Sequence, residues 1–503
     1  MGEDVDRGRA EMSRGNAKPD LVIRNAWIVD GTGAPRRKGG VAVADDRIVA
    51  AGELGEMTGA TEIDAGGRVL APGFIDAHTH DDRALLVDPL MTCKVSQGVT
   101  TVVAGNCGVS LAPLTTQVRP PAPMDLVCAD PAGFYPDFGA YLDALDADPP
   151  ATNALAQVGH ATLRLGAMDR LDRAATSAEV RAMRARLEAA LEAGASGLST
   201  GLFYPPAAAA PTEEVIEIAK GLHAFGARHS THMRDESDHV TESLEETFRI
   251  GREAAVPVII SHHKCAGRAN HGRSVETLAL IDKARAEQPI GLDAYPYVAG
   301  STTLSRDLLS DASEVLVTWS EPKPEAAGRK LSELAREMGV SEAEAVDALM
   351  PAGGIFFMMD EADVRRILAY PHTMIGSDGL PHDAHPHPRL WGTFARVLGH
   401  YARDVGLFSL EEAVRKMTSL TAACFGLGGR GVIREGAYAD LVLFDPDQIR
   451  DAATFERPKV PAIGVALVVV NGRVVWRDGA HTGARPGRAL RLQDLERPAA
   501  AAP

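Results

Sequence analysis

The stretch APGFIDAHTH, residues 71–80, is an apolar run that ends in two histidines one residue apart. Side chains alternate between the two faces of an extended chain, so His78 and His80 share a face and their imidazoles converge on one point. The same pattern, a short apolar run closing on polar or small residues, recurs at TTVVAGNCG (100–108), NALAQVGH (153–160), GASGLSTGL (194–202), ARHSTHMRD (227–235), VPVIISHHK (256–264), PIGLDAYPY (289–297) and TMIGSDG (373–379). Amphipathic helical patterns separate these runs. SAEVRAMRARLEAALEAG, for example, puts Val180, Met183, Leu187 and Leu191 on one stripe, with Ser177 as the expected N-cap and Gly194 just past the end. Strands alternating with helices predict a parallel sheet of the α/β class, and eight such units predict a closed (β/α)8, TIM-like barrel.

Four further residues able to bind a metal close segments of this kind: Cys107, His232, His262 and Asp378. A single histidine on a strand is more often structural than a ligand. Six candidates at the ends of five different strands point instead to one shared site, because the C-terminal strand ends of a barrel converge over its axis. Imidazole, thiolate and carboxylate together suit zinc better than magnesium or calcium, which prefer oxygen shells.

Outward from the barrel, residues 20–70 read as short strands punctuated by turns, and the same grammar returns at 430–480 with an Asn-Gly turn and a closing Asp-Gly. The two flanks are predicted to form one small β-sandwich domain, leaving 71–429 for the barrel. Between the seventh and eighth strands, about 298–370, KLSELAREMG, SEAEAVDALM and EADVRRILAY predict a helical insertion beside the site. Residues 1–19 and 481–503 read as tails.

A chain of 503 residues with 45% hydrophobic content can bury a large core. Its net charge of −16 disfavours nucleic acid and anionic membranes and fits a small-molecule substrate. The polar start has no apolar signal-peptide core, and no apolar stretch approaches the roughly 18 residues that span a bilayer. Five cysteines without paired spacing suggest reduced thiols and a cytoplasmic protein.

GFIDAHTHDD, VVAGNCGVS, GLSTGLFYPP, THMRDE, ISHHKCAG, DAYPYVAGST and MIGSDGLPHDAHPHPRLWGTF together resemble the N-acyl-D-amino-acid deacylase (D-aminoacylase) family of the amidohydrolase superfamily, over about 21–479. Many members of the superfamily bridge two metals with a carbamylated lysine after the fourth strand. GLSTGL has no lysine, and Cys107 matches the deacylases' substitute ligand. The resemblance implies one tight zinc on Cys107, His232 and His262, with His78, His80 and Asp378 outlining a second, weaker position. It also implies that a metal-activated water attacks the acyl carbon of an amide, with Asp378, from the GSDG motif, as general base and then general acid.

Recognition of an N-acyl-D-amino acid needs a partner for the α-carboxylate. Lys264, two residues after His262, shares its strand face and could supply a charge-assisted bond; the resemblance adds Tyr204, Tyr295 and Ser301, and Arg389 is a further candidate. His263 and Cys265 fall on the opposite face and read as packing residues, and the histidines of PHDAHPHP as loop contacts. The side chain accepted is expected to be neutral or hydrophobic. The alternatives are N-acyl-D-glutamate or N-acyl-D-aspartate derivatives, for which Arg306 is a possible partner, or a cyclic amide opened in the dihydroorotase or hydantoinase manner. A scaffold that has lost catalysis would not need all six ligands.

Overall fold

The computed structural model describes residues 18–496. The expected N-terminal tail therefore falls almost wholly outside the described residues, as does 497–503. Eight strands form the barrel: β1 (Phe74–Asp76), β2 (Val99–Ala104), β3 (Asn153–Ala156, resumed at Val158–Gly159), β4 (Gly197–Gly201), β5 (Arg228–His232), β6 (Val258–Ile260), β7 (Ile290–Ala294) and β8 (Thr373–Ile375). Each is one of the eight segments read from the sequence. All are parallel and wholly buried, as strands covered on both faces must be. The ring closes between β8 and β1, where Ala77 N donates to Ile375 O at 3.1 Å and Thr79 bridges Gly379.

The outer helices bury one stripe each. In the helix Ser177–Ala193, Met183, Leu187 and Leu191 are buried and Val180 only partly. Its N-cap is Thr176 rather than Ser177, because Thr176 and Glu179 satisfy each other's backbone N–H in a capping box; Gly194, at φ +121°, ends it. Inside the ring, Ile75, Val103, Leu155, Ile259 and Met374 cluster with Phe425, Leu427, Leu490 and Leu495. The C-terminal residues up to 496 are thus not a tail. Ala489–Leu490 pairs in parallel with β3, and Glu496 N donates to Gly426 O at 2.7 Å. Leu490, Leu492 and Leu495 of an arginine-rich stretch anchor it, with Arg488 and Arg491 paired to Asp46 and Asp146, too sparse an apolar pattern to read as structure.

Strands from both flanks share one core, but not as two facing sheets. They form a single nine-stranded sheet, joined where Val69–Pro72 pairs antiparallel with Leu441–Phe444. The sheet curls on itself, so that Ile48 N at one edge donates to Ala437 O at 2.9 Å.

The expected helical insertion is likewise mixed. Ala299–Thr303, Ala352–Phe357 and Val315–Ser320 make a three-stranded antiparallel sheet, flanked by helices Leu331–Met338 and Glu342–Leu349. Polar AGSTT and glycine-rich AGGIFF hide their strand character; tertiary pairing supplies it. This sheet forms one wall over the C-terminal end of the barrel. Among the described residues no helix is long and apolar enough to cross a membrane.

Candidate metal centre

Four short turns past strand ends and the last residue of β5, His232, carry the six candidate ligands. Three of them, Cys107 (φ 51°), His262 (φ 36°) and Asp378 (φ 49°), lie in the left-handed region, which costs side-chain-bearing residues about 1–3 kcal/mol each. The surroundings hold them there. Asp293 Oδ1 accepts from His262 N at 2.9 Å, Asp378 N donates to His78 O at 2.8 Å, and Asn106 Nδ2 donates to Val103 O at 2.7 Å. Gly201, where β4 ends, passes so close to the Cys107 carbonyl that a Cβ would sit 2.2 Å from its oxygen. No side chain fits there, and the Cys107 thiol occupies the centre instead.

The ligand atoms form two groups that share Cys107. His78, His80, Cys107 and Asp378 make one, and Cys107, His232 and His262 the other; within each group the atoms lie within 4.8 Å of one another. Cys107 Sγ is 3.3 Å from both His78 Nε2 and His262 Nε2, while Asp378 Oδ1 is 3.3 Å from His80 Nε2 and 3.6 Å from His78 Nε2. The family resemblance puts Cys107 on the tight position, with His232 and His262, alone. The geometry makes it common to both.

The charge state of this cluster tests whether a metal fits. Burial would raise the Cys107 thiol, but the imidazoles of His78 and His262 and hydrogen bonds from His232 and His262 outweigh it and hold it well below its usual range. Burial would lower His80, yet the Asp378 and Cys107 bonds carry it up to about 9. Asp378 is held well below the carboxylate range, burial being overcome by Arg389, His262, His80 and His78. An anionic thiolate and carboxylate thus demand positive charge between them. Protons meet that demand in the metal-free cluster, and a divalent cation with nitrogen, sulfur and oxygen ligands meets it better. The donor set fits zinc.

Behind the ligands stand acidic residues that the sequence did not single out. Glu236 Oε1 lies 3.0 Å from His262 Nδ1, and Asp293 Oδ2 faces His78 Nδ1 at 3.6 Å. Lys94 Nζ, fully buried, donates to Asp76 Oδ2 (2.7 Å), Thr79 Oγ1 (2.9 Å) and Ser377 Oγ (2.8 Å), tying the His78–His80 turn to the Asp378 turn. Nothing in LMTCKVSQGV, which also holds Thr92, Ser96 and Gln97, marks this lysine as buried.

The ligands open into a pocket of about 820 Å3, its solvent-facing mouth included, with Tyr204, Lys264, Tyr295 and Ser301 on its walls. Lys264 Nζ is engaged by Glu236 Oε2 at 2.6 Å. Tyr204 packs on the His232 ring, centroids 4.8 Å apart, and its hydroxyl bonds Thr302 Oγ1 at 3.1 Å. Arg389, 1% exposed, stacks on Tyr295 at 4.5 Å and pairs with Asp378 Oδ2 at 2.9 Å. His387 steadies it: Nε2 donates to Ala299 O at 3.0 Å and Nδ1 accepts from Arg389 N at 2.9 Å. His263 bonds Thr277 away from the pocket, and Arg306 pairs with Asp347 on the exterior.

A model of the amidohydrolase family matches residues 61–476. The D-aminoacylase of Alcaligenes xylosoxydans xylosoxydans is 56% identical over 480 residues, covering 95% of this chain and 99% of its own. An N-acyl-D-aspartate deacylase from the same organism is 51% identical, covering 96% and 97%. Among solved structures, the N-acyl-D-glutamate deacylase of Bordetella bronchiseptica, complexed with zinc and a phosphonate inhibitor that mimics the tetrahedral intermediate, superposes with a TM-score of 0.92 at 46% identity, covering 94% of this chain and all of its own. With the family model spanning most of its length, this chain belongs to the amidohydrolase family.

Proposed function

We propose that this protein is a zinc-dependent hydrolase of N-acyl-D-amino acids with uncharged side chains, releasing a carboxylate and a free D-amino acid. One observation carries the reading. The pocket that holds Cys107, His232, His262 and Asp378 also presents buried donors with no partner among the described residues, Tyr295 Oη and Ser301 Oγ, beside Arg389 Nη1, whose contact with Asp378 is an ion pair without a directed hydrogen bond. Unpaired buried donors are costly unless a ligand meets them, and an α-carboxylate beside a scissile amide has the charge and lone pairs to do so.

Cys107, His232 and His262 would hold the tight zinc, and His78, His80 and Asp378, with Cys107 shared, the weaker position. A zinc held there would supply Lewis-acid polarisation of the amide carbonyl and would lower the pKa of a water from about 15.7 to about 7. Asp378, held ionised by Arg389 and the histidines, accepts the proton from the attacking water and returns it to the departing nitrogen. Arg389, Tyr295, Ser301 and Lys264 orient the carboxylate end, and the Tyr204 ring covers His232 against solvent.

The D-aminoacylase relative supports the D configuration. The pocket's own charges argue for an uncharged side chain over D-aspartate or D-glutamate. Lys264 is already paired with Glu236 and Arg389 with Asp378, while the remaining lining offers apolar Leu126, Val127, Leu308 and Met358, neutral Ser237 and Thr302, and a carboxylate, Asp311, but no further cation. A second substrate carboxylate would be buried without a cation, at a cost of about 3 kcal/mol or roughly a hundredfold. Five unpaired thiols support a reducing compartment, and we infer the cytoplasm.

The test is amine release from N-acetyl-D- and N-acetyl-L-methionine, leucine, aspartate and glutamate. D-methionine and D-leucine derivatives should be hydrolysed, with kcat/KM for the acidic D-derivatives roughly a hundredfold lower. Fastest release from the D-glutamate or D-aspartate derivative would shift the assignment to those deacylases, and no release from any compound would sink it.

The carboxylate site can be tested with little disturbance. Because Tyr295 Oη has no partner among the described residues, Tyr295→Phe leaves none of them unsatisfied and removes one charge-assisted bond worth about 1.5–3 kcal/mol. KM for N-acetyl-D-methionine should rise roughly ten- to a hundredfold with kcat nearly constant. An unchanged KM would take Tyr295 out of carboxylate binding.

A further inference from the structure

Glu236 sits just past β5 with its side chain only 12% exposed, and its carbonyl accepts from Ala266 N at 2.7 Å, clamping the chain after β5 to the chain after β6. Its carboxylate reaches three groups: Oε1 lies 3.0 Å from His262 Nδ1, and Oε2 lies 2.6 Å from Lys264 Nζ and 3.5 Å from His232 Nε2. His262 Nδ1 has a second neighbour, Lys264 Nζ, at 2.8 Å. In a neutral imidazole one nitrogen carries the proton and the other the lone pair. If Nδ1 accepts from Lys264, the proton moves to Nε2, the atom that faces Cys107 Sγ at 3.3 Å, and His262 cannot ligate a metal. If Nδ1 donates to Glu236, the Nε2 lone pair is free. The acid and the lysine therefore compete for one ring nitrogen, and the outcome decides whether His262 is a ligand.

We propose that Glu236 is a positioning residue that holds His262 in its metal-binding tautomer by accepting the Nδ1 proton in competition with the neighbouring Lys264 ammonium, which its second oxygen engages along the pocket wall. The inference rests on the reading of His262 as a zinc ligand. One carboxylate then couples the metal centre to the substrate-binding cation. This accounts for the ammonium and the carboxylate lying within hydrogen-bond distance of the same nitrogen. A carboxylate that merely filled space would show no such dependence on Lys264.

The experiment measures zinc affinity of the metal-free protein by competition with a chromophoric chelator, for the wild type, Glu236→Ala and the double variant Glu236→Ala/Lys264→Met, with circular dichroism to establish folding. Wild type should bind one equivalent tightly, and Glu236→Ala ten- to a hundredfold more weakly, the usual cost of losing an outer partner of a ligating histidine. The double variant should regain most of that loss, because methionine fills the lysine's space without a donor. Wild-type affinity in Glu236→Ala, or no recovery in the double variant, overturns the proposal. Should Glu236→Ala not fold, Glu236→Gln carries the same comparison: its affinity is expected several-fold below wild type and restored by Lys264→Met, and no change overturns the proposal. Absence of zinc binding by the wild type would instead strike the metal-site reading itself.

Discussion

Asp378→Asn will retain its zinc and lose about three orders of magnitude in kcat, within the 10²–10⁴-fold range typical of a positioned general acid–base group. Asparagine keeps the size of the side chain and an oxygen that Arg389 Nη1, 2.9 Å from Oδ2, can still approach, so the pocket keeps its shape. What it cannot do is take a proton. Cys107, His232 and His262 are untouched by the change, and elemental analysis should find the tight zinc at wild-type stoichiometry. KM should move little, because the donors assigned to the α-carboxylate, Tyr295 Oη and Ser301 Oγ, remain. A variant with full metal and full turnover would remove Asp378 from the chemistry; one that had lost both would make it a ligand first. The surroundings favour the first role, since four groups, Arg389, His262, His80 and His78, hold its carboxyl ionised against burial. With that depression, the base form persists through the neutral range, and protonation of Asp378 should not limit turnover near pH 7.

The barrel was legible because most strands, the polar Arg228–His232 excepted, are short runs with apolar residues that stop at a polar or small residue, and parallel strands buried on both faces carry their signal locally. The ligands were legible for a related reason: histidine, cysteine and aspartate are conspicuous when they close such runs. Glu236, Asp293 and Lys94 carried no comparable mark. Each is a charged residue whose importance lies in what the fold brings against it, a ring nitrogen 3.0 Å from Glu236 or a serine 283 positions away from Lys94. The insertion's sheet failed to show for the same cause. AGSTT has neither alternation nor β-branched bulk at its start, and becomes a strand only because Ala352–Phe357 pairs with it. Arg306 illustrates the opposite error, a cation near the right place in sequence whose partner, Asp347, lies on the outside.

Cys107→Ser should abolish tight zinc binding and, with it, activity, although the substitution changes one atom. The sulfur belongs to both ligand groups and touches His78 and His262 at 3.3 Å each, so no other side chain can replace it without moving. Neighbouring histidines already hold the thiol well below its usual range, so it meets a cation as thiolate; a serine hydroxyl stays protonated and is a neutral, weaker donor to zinc. Loss of a direct ligand should therefore exceed the roughly 100-fold that removal of an outer hydrogen-bond partner can cost. Folding should survive, because serine fits the same left-handed turn, flanked by Gly105 and Gly108, and needs no more room. The measurement is chelator competition on the metal-free variant beside wild type, together with amine release at saturating zinc. If Cys107→Ser bound zinc as tightly as wild type, the tight position would have to be rebuilt from His78, His80 and Asp378, and the roles of the two groups exchanged. If excess zinc restored activity while affinity stayed low, the thiolate would be confirmed as the group that retains the metal, and the catalytic work would rest with Asp378 and the imidazoles.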